Sequence, residues 1–191
     1  MGRAQFDQAG FLAAARALIA KRGLKAVTVD SVAERMVAPK GSFYYRFASR
    51  DALLGELWLK TVLAYQEGFV AAIEAGDGLG AALHTPAWAR RHLDEARLLM
   101  LYSRHDFVHG RWPAPLKRGV ADQAQRFEAC LRTFARGAFG RAGPAQVRRA
   151  AFVLAEVPIA AVKPHLRRRE RPPLLVDELI MKTYRAIVGA A

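Results

Sequence analysis

The stretch from Thr28 to Phe47, TVDSVAERMVAPKGSFYYRF, constrains the chain more than any other. It reads as two short helices joined by a tight turn. Thr28 offers a hydroxyl to an orphan N–H at the start of the first, and Asp30 places negative charge in its first turn. Val29, Val32, Ala33 and Met36 form its inward face. A turn around Val37 and Ala38 leads to Pro39, a residue suited to opening a helix. The second helix, Lys40 to Phe47, sets Phe43 and Phe47 four residues apart as anchors. Tyr44, Tyr45 and Arg46 then project the other way.

A helix that enters a major groove is cationic or hydrogen-bonding on its exposed face and held from behind. Lys40 to Arg46 meets those demands. Gly41 and Ser42 are small enough to let the backbone approach phosphates or base edges. Lys40 and Arg50 are suited to phosphates, tyrosine hydroxyls donate to phosphate oxygens, and an arginine can fork onto a guanine edge. Charge agrees: the first fifty residues hold nine Lys/Arg against three Asp/Glu, or +6 of a net +13. Such a bias suits an electrostatic footprint on a polyanion.

The rest of the pattern is helical throughout. Phe11, Ala15, Leu18 and Ile19 define one face of a first helix ending before Gly23. Ser49 caps a long fourth helix, and Gly76-Asp77-Gly78 reads as an interhelical turn. A fifth is expected from Gly80 to Leu93 and a sixth from Glu95 to about Val108. A seventh follows from about Ala114 to Gly137. The eighth runs from Pro144 to Val162 with a kink at Pro158. Pro164 to Pro173, with the basic run Arg167 to Arg171, reads as a loop. The ninth, Leu174 to Val188, carries two apolar stripes, Val176–Ile180–Tyr184–Ile187 and Leu175–Leu179–Ala186, and so needs two surfaces to cover it. The expected fold class is all-α, with about nine helices.

From Phe11 to Leu53 the chain resembles the N-terminal domain of the TetR family of transcriptional regulators. The likeness rests on Phe11-Leu12-Ala13-Ala14-Ala15 with Leu18 and Ile19, Gly23, Thr28-Val29 and Val32-Ala33. Above all it rests on Lys40-Gly41-Ser42-Phe43-Tyr44-Tyr45-Arg46-Phe47 and Ser49-Arg50-Asp51-Ala52-Leu53. It implies a DNA-binding domain over 1–48 and an effector-binding and dimerisation domain over 49–191. It further implies a homodimer through the last two helices, a palindromic duplex operator and a small-molecule effector. By position, Thr28, Lys40, Gly41, Ser42, Tyr44, Tyr45, Arg46 and Arg50 inherit DNA contacts, and Phe43 and Phe47 inherit packing roles. Two positions depart from the family pattern. The usual turn glycine falls on Val37, where a β-branched residue is strained, and the usual Ser or Thr cap falls on Pro39.

For the body, pocket candidates are Trp58, Tyr65, Trp88, Met100, Tyr102, His105, Trp112, Phe127 and Phe134. Arg97, Arg104 and His105 would favour an anionic effector, and Asp106 and Glu128 a cationic one. His105 and His109 share a helical face at a metal-compatible spacing, but no further ligand accompanies them, so no metal is expected. No nucleophile elbow or zinc-protease motif is present, and neither a cofactor nor catalysis is expected. Cys130 reads as a small core residue. With one cysteine, no secretory-type start and no apolar run of membrane length, a cytosolic, non-membrane protein is expected. The leading expectation is a repressor released by its effector. The alternatives are an activator of the same fold, or a helical carrier or enzyme with a vestigial N-terminal unit.

Overall fold

Asp7 opens the first helix by accepting the N–H of Gly10 at 2.7 Å, and Gly23, at φ 81°, closes it. This is α1, Gln8–Arg22, in a computed structural model that describes residues 6–107 and 112–189. After a 3-10 turn over Leu24–Ala26 come α2, Val29–Met36, and α3, Lys40–Arg46. Then follow α4, Arg50–Glu74, α5, Gly78–Arg91, α6, Leu93–Leu101, and the single turn α7, Arg104–Phe107. Helix α8 is Ala114–Phe139. Helix α9 runs through Pro144–Ala151, Phe152–Glu156 and Val157–Arg167, and α10 is Leu175–Val188. There is no strand among the described residues. The all-α expectation holds.

Three elements differ from the sequence reading. The middle piece of α9 is wound as π-helix, and Val157 N–H returns to the Phe152 carbonyl. Pro158 follows at once. Its ring would crowd the carbonyl four residues back, and a wider turn there gives it room. Secondly, α9 continues through Pro164 to Arg167, where a loop was expected. Val162 and Leu166, one turn apart, are both fully buried, and Arg97 donates to the Leu166 carbonyl at the helix end. Packing and a partner for an end carbonyl outweigh the one ladder bond a proline removes. Thirdly, the helix expected to reach Val108 stops at Leu101. Ser103 Oγ donates to Asp106 at 2.8 Å and Asp106 N–H returns to Ser103 Oγ at 3.3 Å, a reciprocal cap that restarts the chain as α7. Val108 itself lies outside the described residues.

The chain divides into two compact units that interleave in sequence: Met1–Thr61 with Tyr102–Val120, and Val62–Leu101 with Ala121–Ala191. In the first unit Phe11, Phe43, Phe47, Leu53 and Leu54 are fully buried. Phe11 meets Phe43 and Phe47 edge-on at centroid distances of 5.8 and 6.2 Å. In the second, Tyr65, Phe69, Trp88, Leu154, Leu166 and Ile180 share one core. There α5 lies against α10 and the last piece of α9. Arg90 adds a two-pronged bond to Asp177, at 2.7 and 3.2 Å. Pro86, inside α5, is buried with the core rather than breaking the helix.

Candidate nucleic-acid interface

Helix α2 is pinned at its start by a capping box. Ser31 N–H donates to Thr28 Oγ1 at 3.0 Å, and Thr28 N–H donates to Ser31 Oγ at 2.9 Å. It ends on Val37, which takes the left-handed conformation, φ 52° and ψ 41°, and is 86% exposed. That is the conformation glycine would adopt without cost. The sequence-derived strain at this turn is thus present in the backbone. The turn closes through Ala38 N–H to the Ala33 carbonyl at 2.9 Å.

Pro39 precedes α3 and gives it no side-chain cap; Ser42 N–H closes the first turn on the Pro39 carbonyl at 2.9 Å, and the amides of Lys40 and Gly41 before it have no partner within the helix. The helix sorts cleanly by face. Phe43 is completely buried and Phe47 follows it inward, while Tyr44 is 59% and Tyr45 82% exposed. Burying each phenylalanine is worth roughly 1.5–3 kcal/mol, and that anchoring lets a helix of this length hold a fixed orientation. The Arg46 guanidinium lies 5.0 Å from the centre of the Tyr45 ring, a cation–π contact that keeps both side chains on the outer face. Ser42 is half-buried. Gly41 is exposed, and a Cβ there would meet nothing of the protein within 4 Å.

Two of the sequence-selected cations are engaged. Lys40 Nζ stands 2.8 Å from Asp30, both side chains largely exposed. That hydrogen bond, with the carboxylate's charge, holds the ammonium above the usual lysine range. Arg50 is spent inward. Its Nε donates to the Val27 carbonyl at 2.5 Å, one terminal nitrogen reaches the Leu24 carbonyl, and the other reaches Asp51, each at 3.3 Å. Arg50 therefore ties the segment before α2 to the start of α4. Nothing local in the sequence signals this, because the carbonyls it meets lie more than twenty residues back.

The nine aromatic, Met and His candidates of the body fall in both units. Trp58, Tyr102, His105 and Trp112 belong to the first unit, and Tyr65, Trp88, Met100, Phe127 and Phe134 to the second. Most are core: Trp58, Tyr65, Trp88, Met100, Trp112 and Phe134 are buried, Tyr102 and Phe127 half-buried, and His105 exposed. The charges considered for ligand contact have protein partners. Arg97 holds Leu166, Asp106 caps α7, and Glu128 pairs with Arg132 at 2.6 Å. His109 and the side chain of Arg104 lie outside the described residues, which contain no cluster of metal-ligating groups. A groove of about 510 Å³ in the second unit is lined by other residues of α4 and by Arg126 of α8.

A helix-turn-helix with its second helix exposed and aromatic-backed stands at the front of an all-α chain, the arrangement of a DNA-binding unit on a helical body. Residues 11–57 match the family described as "Bacterial regulatory proteins, tetR family". Residues 11–57 thus carry the N-terminal domain of that family, and the whole chain has the fold of TetR-family regulators. A TetR family transcription regulator from Marinobacter aquaeolei is similar over 95% of this chain and 94% of its own, at TM-score 0.69 and 15% identity. FadR from Bacillus subtilis, solved in complex with stearoyl-CoA, is similar over 97% and 100%, at TM-score 0.67 and 12% identity. SmeT, the repressor of the Stenotrophomonas maltophilia multidrug efflux pump SmeDEF, is similar over 94% and 90%, at TM-score 0.60 and 18% identity. Comparison with curated proteins returns no match. No helix among the described residues is long and apolar enough to cross a membrane.

Proposed function

We propose that the protein is a dimeric repressor that holds a palindromic operator through two copies of α3 and lets go when a small molecule binds its body. The observation that carries the reading is the division of α3: two phenylalanines locked into the first unit's core, two tyrosines held out beside Lys40, Gly41 and Arg46. In this reading Tyr44, Tyr45 and Arg46 meet the groove and its phosphates. Ser42 and the free amides at the helix start approach the backbone, and Thr28 flanks them at the start of α2. Arg50 acts at one remove, by fixing α2. Dimerisation is supported by the second stripe of α10, where Leu175 and Leu179 are exposed with Leu174 before them. Large aliphatic side chains lined up on one helix face are what a two-fold helical interface would bury.

The test is binding of the full chain to duplex fragments from around its own gene, followed by footprinting. Protection of two half-sites centred about 34–36 Å apart is expected. Affinity should fall steeply from about 50 to about 200 mM salt, as for several neutralised phosphates. Binding indifferent to salt, or a footprint without two-fold symmetry, would reject the reading. Effector release is tested on the same complex, and a reporter in a deletion strain separates repression from activation.

A further inference from the structure

The groove along α4 carries chemistry that nothing in the DNA-binding unit explains. Leu63, Gln66, Glu67, Val70 and Glu74 recur at three- and four-residue intervals and so line one face of α4, with Arg126 of α8 contributing to the same groove. Its volume of about 510 Å³ falls among those that hold small organic molecules. Gln66 is only 7% exposed, yet its side chain makes no hydrogen bond with any described residue. An amide has two donor hydrogens and an acceptor oxygen, and those of Gln66 are free to meet a molecule in the groove that it lines.

The charges point the same way. Glu67, Glu74 and Arg126 make no ion pair with any described residue, in a chain holding 30 Lys/Arg against 17 Asp/Glu. Cations are plentiful, and still two carboxylates stand open in one groove. With Arg126 the lining carries a net charge of −1, a negative pocket on a protein of +13. The carboxylates lie two helical turns apart, about 10.5 Å along the axis, too far to share one metal ion. Leu63 and Val70 place alkyl surface beside them.

We infer that this groove binds an organic cation with an apolar body. Its positive charge lies against Glu67 or Glu74, its body on Leu63 and Val70, and one polar atom meets the Gln66 amide. Arg126 works against the charge and limits how far a cationic ligand reaches toward α8. The inference names the effector class of the proposed regulator and rests on that reading for its consequence at DNA, though not for binding itself.

The experiment is fluorescence polarisation of rhodamine 6G, a lipophilic cation, against the full chain, with fluorescein as the anionic counterpart. Saturable binding of rhodamine 6G and none of fluorescein is expected. Glu67→Gln and Glu74→Gln should together weaken it severalfold, and Arg126→Gln should tighten it, by loss and gain of charge attraction at exposed groups. The tightening cannot be produced by a misfolded variant. Equal binding of both dyes, unchanged affinity in the double glutamine variant, or weakening by Arg126→Gln would each overturn the inference. A parallel arm follows labelled operator duplex. Dye binding with an undisturbed DNA complex upholds the groove and sinks the effector reading. No dye binding beside intact DNA binding sinks the groove and leaves the regulator standing.

Discussion

Lys40 and Asp30 face each other at 2.8 Å across the turn, so the first residue of α3 is paired with an acid from the first turn of α2. Both side chains are well exposed, and such pairs contribute little to stability. A DNA phosphate would compete with Asp30 for the same ammonium. Asp30→Asn is therefore expected to leave unfolding within about 0.5 kcal/mol of the parent. It should tighten operator binding severalfold and steepen the log–log salt slope by up to about one unit, because one more phosphate is fully neutralised. Denaturant titration and salt-dependent polarisation read the two effects separately.

Val37 has the left-handed backbone that an L-residue with a branched Cβ adopts at a cost of about 1–2 kcal/mol. Its side chain is out in solvent and returns nothing in packing. Val37→Gly should raise the free energy of unfolding by about 0.5–1.5 kcal/mol, the relief of strain less the extra entropy of a glycine in the unfolded chain. Urea unfolding with an unchanged m-value checks it; a loss of stability would mean that the turn is not strained.

How far the sequence was legible depended on the range of the forces involved. The α3 division into buried Phe43 and Phe47 and exposed Tyr44 and Tyr45 was readable because a four-residue spacing encodes a helix face. Val37 was readable because local sterics decide it. The two stripes of α10 likewise separated into buried Val176 and Ile180 and exposed Leu175 and Leu179. What escaped was everything settled at long range. Pro164 was read as a helix end, since the burial of Leu166 and its bond from Arg97, 69 residues away, leave no local trace. Arg50 looked like a free cation for the same reason. The groove lining from Leu63 to Glu74 contains no aromatic residue, so it lacks the side chains by which a sequence points to a cavity.

The hydroxyls of Tyr65 and Thr85 lie 2.8 Å apart in the second unit's core, and burial pushes the Tyr65 phenol up to about 12. Each hydroxyl answers the other. Tyr65→Phe should cost about 1–3 kcal/mol by leaving the fully buried Thr85 unmet, and Thr85→Val a similar amount. The double variant should cost clearly less than the sum. Thermal or urea unfolding of the cycle measures the coupling, and strict additivity would dismiss the bond as a stabilising pair.

His84 Nε2 donates to the Tyr65 carbonyl at 2.8 Å, and its ring lies so close to Gly68 that a Cβ there would come within 2.5 Å of it. Burial, with the nearby charge of Arg91 and His92, holds its proton affinity below the ordinary value near 6.5. Below that value the unfolded chain takes up a proton that folded His84 resists. Its contribution is thus fully present well above pH 6.5 and is lost as pH falls through that value toward the lower folded one. His84→Gln, which can keep an N–H for the carbonyl, should flatten the loss of melting temperature over that window. An unchanged pH profile would place the sensitivity elsewhere. Gly68→Ala should destabilise at every pH by about 1–3 kcal/mol through overpacking.

Gly41 separates what the protein needs from what DNA needs. A methyl group there meets nothing of the chain within 4 Å, and the residue sits in the first turn of a helix. Alanine favours helix by roughly 0.5–1 kcal/mol over glycine. Gly41→Ala should therefore leave unfolding unchanged or shift it slightly toward greater stability. At the operator the same methyl group would stand between the start of α3 and the phosphate backbone, displacing the free amides by about the width of a carbon atom. A fall in affinity of tenfold or more, at unimpaired stability, is the expected result in polarisation titrations. Equal affinity for parent and variant would place the start of α3 away from the backbone and move the burden of contact to Tyr44, Tyr45 and Arg46.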